Sequence, residues 1–289
     1  MRYHNLIIRL KRRGLRGLFF RDIEYNEEGW PILIRGKTAE IWQDYAAFIR
    51  LMGGERTERL RVVAFTGAGM SAESGLGTFR SHGAARFYSF ERRMTPTLWE
   101  RDPKLVLQTY NRRRAELGRA SPHRGHSILA QLEQKFDVTV ITQNVDDLHE
   151  RAGSTHVLHL HGNLREARST ANPAFVQDVG YDEIKLGDLC PTGGQLRPNI
   201  VWFGEEVHHL QAAAEALARA HLCIVVGTSL QVEPAAALLG FLPAEAFLYI
   251  VDPSPPRLFK KRRRLRLHKT TASAGLLEIE DEFDRLYRA

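Results

Sequence analysis

One feature restricts the fold more than any other: a short apolar run that passes without a spacer into glycines. Leu60-Arg61-Val62-Val63-Ala64-Phe65 is followed directly by Thr66-Gly67-Ala68-Gly69. A run of this length with β-branched and aromatic members reads as a buried strand. Glycines just after a strand allow a sharp turn and bring backbone N–H groups close to a phosphate. The tetrapeptide alone does not separate a phosphate cradle from a plain strand-to-helix turn. Ala72 stands where the third glycine of the usual dinucleotide fingerprint belongs. No Asp or Glu is evident on a following strand to hold a ribose.

Further short apolar runs read as strands: Val138–Thr142, Val157–His159, Ile200–Phe203, Leu222–Val226 and Phe247–Val251. Helical patterns fall between several of them, at 103–118, 123–135 and 207–219. Strands alternating with helices predict an α/β fold with a parallel sheet covered on both faces. Polar residues cluster just after several strands, where open α/β sheets bind ligands.

The 289 residues suffice for about two domains. A content of 43% hydrophobic and 26% charged residues excludes a disordered or collagen-like chain. No apolar run approaches the roughly 18 residues of a membrane span. Two cysteines, Cys190 and Cys223, exclude a disulfide framework and point to a reducing, cytoplasmic setting. The net charge of +7 is unevenly placed. Residues 1–17 hold six basic residues and no acid, and residues 257–269 hold eight and no acid; without both runs the remainder carries −7. Such runs read first as a solvated tail and a solvated helix, although they also attract anionic partners. They lack regular aromatic interleaving, so nucleic acid is not the expected partner.

Residues 1–59 form a distinct N-terminal extension. Its first 20 residues are Arg-rich and acid-free, with Leu6, Ile7, Ile8 and Leu10, in the manner of a transit peptide or surface helix; the stretch has no serine, against the former. Residues 21–36 read as loop. Residues 37–53 read as an amphipathic helix, with Ile41, Tyr45, Phe48 and Leu51 at helical spacing.

Beyond the first turn, blocks of polar residues follow in a fixed order. Gly67-Ala68-Gly69-Met70-Ser71-Ala72-Glu73-Ser74-Gly75 runs on to Thr78-Phe79-Arg80. Then come Thr142-Gln143-Asn144-Val145-Asp146-Asp147-Leu148-His149, His159-Leu160-His161-Gly162, Arg197-Pro198-Asn199-Ile200-Val201-Trp202-Phe203-Gly204-Glu205, and Gly227-Thr228-Ser229-Leu230-Gln231-Val232-Glu233-Pro234-Ala235. Together these resemble the sirtuins, NAD-dependent protein-lysine deacylases, over roughly residues 60–289. The resemblance implies a Rossmann-like NAD-binding domain with a small insertion domain, its segments near 81–120 and 163–196.

The resemblance also implies roles. Gly67, Ala68 and Gly69 would hold the pyrophosphate, with Ser71 and Glu73 shaping the loop. Phe79 and Arg80 would lie by the nicotinamide ribose. Gln143, Asn144 and Asp146 would hold that ribose and the nicotinamide amide, and Asn144 and Asp146 would count with His161 as catalytic. Gly227, Thr228, Ser229 and Asp252 would meet the adenosine side. His161 would be the general base, a role that needs an imidazole neutral near pH 7. In the family mechanism the acyl oxygen attacks the ribose carbon as nicotinamide leaves, and the base then lets a ribose hydroxyl attack the imidate. The products are free lysine, nicotinamide and O-acyl-ADP-ribose. Read from spacing alone, His159 and His161 also suit a metal pair or a structural strand end. His149 reads as a helix residue that packs or caps.

An acylated-lysine peptide would lie along 197–205 and 231–233, with Phe203, Gly204, Glu205 and Val232 in contact. Backbone pairing of this kind exerts little sequence choice. Tyr110 and Arg113 share a helix face and match the carboxylate-binding pair of the bacterial desuccinylase-type (class III) branch. Thr78 also resembles that branch, whereas His82 stands where some members have alanine. Many sirtuins bind a structural zinc through two cysteine pairs; here Ser169 stands near the first position and only Cys190 remains. One thiolate cannot close a tetrahedral site, so no zinc is expected. Residues 165–196 would instead be held by packing, through Phe175, Val179, Tyr181 and Ile184. The alternatives on the same scaffold are an NAD hydrolase or ADP-ribosyltransferase, and a non-catalytic NAD-sensing module. Intact Asn144, Asp146 and His161 argue against the last.

Overall fold

A computed structural model of the chain describes residues 23–25, 31–34, 59–77, 94–230, 232–255 and 264–288. It divides into two units, Met1–Arg56 with Phe283–Ala289, and Thr57–Glu282. In the first, β1 (Ile23–Tyr25) and β2 (Pro31–Ile34) pair antiparallel, with Ile23 opposite Ile34 and Glu24 opposite Leu33. This corrects the reading of 21–36 as loop. Ile23 and Tyr25 in β1 and Ile32 and Ile34 in β2 are residue types that favour strands, and Pro31 occupies a first-strand position, where its missing N–H is tolerated. The expected helix at 37–53 and the basic run at 1–17 lie outside the described residues.

In the second unit the run at 60–65 becomes β3 (Arg61–Thr66). Three helices follow: α1 (Pro96–Arg101), α2 (Pro103–Arg119) and α3 (Arg124–Leu132). Asp102 caps α2, its carboxylate accepting from the Leu105 N–H at 2.9 Å, and Pro103 opens the first turn. Then come β4 (Asp137–Thr142), the single turn α4 (Leu148–Arg151) and β5 (Val157–His159). An insertion carries β6 (Gly162–Ser169), β7 (Val176–Asp178) and β8 (Leu196–Ile200). The chain returns through α5 (Leu210–Ala218), β9 (Leu222–Val226), β10 (Phe247–Val251), β11 (Leu265–His268) and α6 (Ala272–Arg288), whose residues from Phe283 on are counted with the first unit.

Six of these strands form one parallel sheet in the order β11-β10-β9-β3-β4-β5. This is the doubly wound order in which successive strands are laid down outward from β3, first to one side and then to the other. The chain reverses direction between β3 and β9, so a crevice opens at the carboxyl ends of that pair. β9 (Leu-Cys-Ile-Val-Val) is buried throughout, and its unbroken apolar run reflects burial on both faces. Cys223 sits in it as a core residue.

Two strand expectations need correction. The strand placed at Ile200–Phe203 runs instead over Leu196–Ile200 and pairs with β6. Beyond it the Glu205 carboxylate accepts the Trp202 N–H at 2.8 Å, and Gly204 adopts φ +94°, turning the chain away. The basic run at 257–269, read as a solvated helix, ends in β11, parallel to β10. Leu265 is buried, and the alternation Leu265-Arg266-Leu267 has the strand period.

The insertion has its own small core of Leu107, Ala167, Ile184, Cys190 and Leu196, with Phe175 and Val179 packed against it. Phe175, Val179 and Ile184 thus act as expected. Tyr181 does not join them. Its hydroxyl donates to Asp147 Oδ2 at 2.7 Å, and the Arg151 and Arg165 guanidinium groups lie 6.0 and 5.6 Å from its ring centroid. No helix among the described residues is long and apolar enough to cross a membrane.

Two histidines are wholly buried beside the sheet, His126 on α3 and His149 on α4. Burial, reinforced by the neighbouring imidazoles, pushes His126 down to about 2. Burial pushes His149 down to about 4. Below the ordinary histidine value of about 6.5, the unfolded chain therefore binds more protons at these sites than the folded chain. Stability falls as pH drops from there. His126→Gln should flatten the fall in melting temperature between about pH 6.5 and 4.5; parallel curves for variant and parent would contradict this.

Gly227 has φ +61°, and a Cβ there would stand 2.3 Å from the Met70 nitrogen and 2.4 Å from the Gly69 carbonyl carbon. Gly227→Ala should cost about 2 kcal/mol or more, measured by denaturant unfolding.

Candidate active site

Two loops leave the carboxyl ends of β3 and β9 and close on each other. The Gly67 N–H donates to the Val226 carbonyl at 3.0 Å, and the Gly69 N–H to the Gly227 carbonyl at 2.8 Å. A Cβ on Gly67 would lie 2.7 Å from Thr228 Cβ, and one on Gly69 2.6 Å from Gly227 Cα. These glycines are thus required by loop-to-loop contact. Of the three residues expected at a pyrophosphate, two have their N–H groups engaged within the protein. That of Ala68 has no partner among the described residues.

The loop after β4 supplies the polar side chains. The Ser71 hydroxyl donates to Asp146 Oδ2 at 2.8 Å, and Asn144 Nδ2 donates to Ser71 Oγ at 3.1 Å. Ser71, Asn144 and Asp146 are all buried. Burial raises the Asp146 carboxyl above its ordinary value, opposed by the Ser71 hydroxyl and the Leu148 N–H. Gln143 ties three elements together. Its N–H donates to the Thr66 carbonyl at 2.9 Å, its side chain to Thr228 Oγ1 at 3.0 Å, and its carbonyl accepts from His161 Nδ1 at 3.0 Å.

That last bond places the proton of neutral His161 on Nδ1 and leaves Nε2 as the acceptor. Burial pulls the imidazole below its ordinary value; the Gln143 carbonyl opposes this and nearby His208 adds to it. The ring is therefore a neutral base at pH 7. Gly162 follows at φ +83°, where a Cβ would overlap the Asn199 carbonyl. His159 does not form a metal pair with it. Its Nε2 meets Glu150 Oε1 at 2.6 Å and its Nδ1 meets the Asn144 carbonyl at 3.1 Å. Although burial opposes it, the Glu150 carboxylate raises the His159 value.

The other expected residues are spread more widely. Phe79, Arg80, Thr78, His82 and Gln231 lie outside the described residues. Glu73 is exposed, and its carboxylate accepts from both the Ser273 N–H and hydroxyl at the start of α6. Thr228 accepts from the Leu230 N–H at 3.2 Å, beside Ser229. Asp252 is buried after β10 and accepts from the Ser254 N–H at 2.7 Å. Tyr110 is buried against Val106, Leu148, Leu164 and Trp202, with the Arg113 guanidinium 5.9 Å from its ring centroid. Phe203 is exposed, and the Val232 carbonyl accepts from the Ala236 N–H. Glu205 has both carboxylate oxygens engaged internally by Arg168, Arg197 and the Trp202 N–H. Arg197 in turn stacks on Trp202, 3.2 Å from the ring centroid.

Cys190 is buried, with Ser169 Oγ and Thr192 Oγ1 each 3.1 Å from its sulfur. These hydroxyls pull the thiol down to about 7. Among the described residues, no group of three or more His, Cys, Asp or Glu is placed to hold a metal ion. The sequence reading missed Thr66, Thr142, His123 and Asp147, all of which shape the site. Asp147 carried a signal, since it extends the polar block after β4; the threonines and His123 look like ordinary strand-end and cap residues.

The buried cluster of Ser71, Asn144 and Asp146, next to the Ala68 N–H at a sheet switch point, fits a nucleotide ribose and phosphate. Residues 67–234 match the Sir2 family. A Bacteroides thetaiotaomicron protein named NAD-dependent protein deacylase is 45% identical over 225 residues, covering 76% of this chain and 96% of the relative. A solved structure of a Sir2 homologue–NAD complex is 34% identical, covers 83% of this chain and 94% of its own, and superposes with a TM-score of 0.70. A structure of Sir2Tm bound to a propionylated peptide is 29% identical, with coverage of 86% and 99% and a TM-score of 0.67. Family match, fold and polar cluster agree, and the chain belongs to the Sir2 family.

Proposed function

We propose that this chain removes acyl groups from protein lysines in an NAD-dependent reaction, giving nicotinamide and O-acyl-ADP-ribose, with residues 60–289 as the catalytic domain and 1–59 as an extension. The observation that carries the reading is His161 after β5, neutral, its tautomer set by the carbonyl of Gln143, which stands on the loop after β4 with Asn144 and Asp146. NAD supplies a ribose carbon that becomes electrophilic as nicotinamide leaves. Ala68, Ser71, Gln143, Asn144, Asp146, Gly227, Thr228, Ser229 and Asp252 would hold it, joined by Phe79 and Arg80. His161 Nε2 takes the ribose-hydroxyl proton.

The peptide lies beside Phe203, Gly204 and Val232, while Glu205 acts through the turn it holds. For the acyl group, Tyr110 and Arg113 form a candidate carboxylate-binding pair, as in the desuccinylase-type branch; one helix face presents both, with the guanidinium over the ring. The insertion works without structural zinc on this reading: Cys190 is its one thiol, and an apolar core and hydroxyl contacts surround it. Two free cysteines fit a reducing, cytoplasmic setting.

One peptide carried in acetyl, succinyl and unmodified forms, with NAD and mass detection of products, tests the reading. Acyl loss with matching acyl-ADP-ribose is the expected result. NAD consumed equally with the unmodified peptide would point instead to hydrolysis or ADP-ribosyl transfer. His161→Ala should lower turnover by about 10²–10⁴-fold with the fold intact. In the parent protein the acid limb of kcat/KM should fall below about pH 6.5, because the depressed pKa keeps the base neutral there.

Arg113→Met should weaken succinyl-lysine turnover by about tenfold or more and leave acetyl-lysine turnover near the parent value. Equal loss on both substrates would remove the carboxylate role.

A further inference from the structure

Three histidines stand between the two loops that converge on the cofactor, and the chemistry above uses none of them. His123, just before α3, accepts the Gly125 N–H on Nδ1 at 3.0 Å. Its proton is therefore on Nε2, which donates to the Met70 carbonyl at 2.6 Å. Met70 ends the turn that begins at Gly67. His126 packs edge-on against His123, with ring centroids 4.3 Å apart, and accepts the His123 backbone N–H on Nδ1 at 3.3 Å. His149 packs edge-on against His126 at 5.0 Å. Its Nε2 donates to Thr66 Oγ1 at 3.0 Å; Thr66 donates to Thr142 Oγ1 at 2.8 Å, which also accepts the Asn144 N–H at 3.0 Å. One unbroken set of contacts thus runs from the Met70 carbonyl to the Asn144 backbone.

We propose that His123, His126 and His149 form a positioning column that sets the spacing between the Gly67–Met70 turn and the Thr142–Asp146 loop, and with it the affinity for the ADP-ribose part of NAD. The proposal rests on the deacylase reading only in taking these loops as the NAD site. Neutral imidazole suits His123, which uses one donor and one acceptor, while His149 uses its Nε2–H and its Nδ1 has no hydrogen-bond partner among the described residues. A protonated His123 would turn a second donor against the Gly125 N–H. Burial keeps His126 and His149 uncharged. Apolar replacements would fill the space and leave the Met70 carbonyl and the Thr66 hydroxyl without their donors.

The test is ADP-ribose binding by calorimetry, which needs no turnover, together with separate KM values for NAD and acyl-peptide. His149→Leu should weaken ADP-ribose binding about tenfold and raise the NAD KM similarly, with the peptide KM unchanged. His149→Gln, whose amide carries an N–H at similar reach, should restore most of the affinity. Thr66→Val breaks the same relay with every ring in place, and should reproduce the loss even where the leucine variant does not fold. Unchanged affinity in Thr66→Val, or equal loss in the Gln and Leu variants, overturns the column. A parent protein that does not bind ADP-ribose overturns the NAD-site reading itself.

Discussion

The rest of the molecule depends on a pair of backbone hydrogen bonds across the sheet's switch point. Gly67 and Gly69 donate to the carbonyls of Val226 and Gly227 just where β3 and β9 diverge. Any side chain on Gly67, Gly69 or Gly227 would push the loops apart, since the Cβ positions fall 2.3–2.7 Å from backbone or Cβ atoms opposite. The glycines of a phosphate-type turn are usually explained by the ligand's close approach. Here the first constraint is internal. The turn must lie flat against its neighbour before any ligand can enter, and only then does the Ala68 N–H stand at the crevice.

Polar groups buried around this closure are stable because they satisfy one another. Ser71, Asn144 and Asp146 share hydrogen bonds, and Gln143 reaches Thr66, Thr228 and His161. A buried polar group without a partner costs about 1–3 kcal/mol, so each bond in this net constrains its neighbours. The same burial that raises Asp146 lowers His161, and both shifts follow from excluding water. Closure and basicity therefore have one cause. His159 is the exception that fits the rule: the adjacent Glu150 carboxylate outweighs burial and holds it above its ordinary value.

The parallel sheet was legible because β9 and β10 are unbroken apolar runs and β3 and β4 carry β-branched and apolar residues through their buried middles, as two-sided burial demands. The ordered polar blocks pointed to a candidate site because they sit at strand ends, and several of those ends lie side by side in the sheet. What escaped notice lacked a local signature. The alternation of Leu265-Arg266-Leu267 was masked by the basic residues before it, so β11 read as helix. The strand at 196–200 contains Arg197 and Pro198 and begins before the apolar run that drew attention; the run itself is turned by Glu205, whose role is visible only once Arg168, Arg197 and the Trp202 N–H converge on it. The histidine contacts span positions 66 to 149, and nothing in a linear pattern joins His123 to Met70.

The insertion shows how a long excursion between β5 and α5 stays fixed to the chemistry. Its own core is small, five buried residues with a few partly buried partners, and includes Leu107 from α2. Beyond that core, Asp147 is the tie. It is buried beside Asp146, receives the Tyr181 hydroxyl at 2.7 Å, and has Arg165 and Arg151 at 3.5 and 3.7 Å. Tyr181 and Arg165 belong to the insertion, while Arg151 follows on α4. Two guanidinium groups and the Tyr181 hydroxyl together offset the buried Asp147 charge, so the loss of either cation weakens its compensation. The geometry that compensates Asp147 therefore also holds the insertion against the loop carrying Asn144 and Asp146. The insertion and the loop carrying Asn144 and Asp146 thus meet at Asp147, beside the Leu164 N–H that donates to the Val145 carbonyl at 2.8 Å.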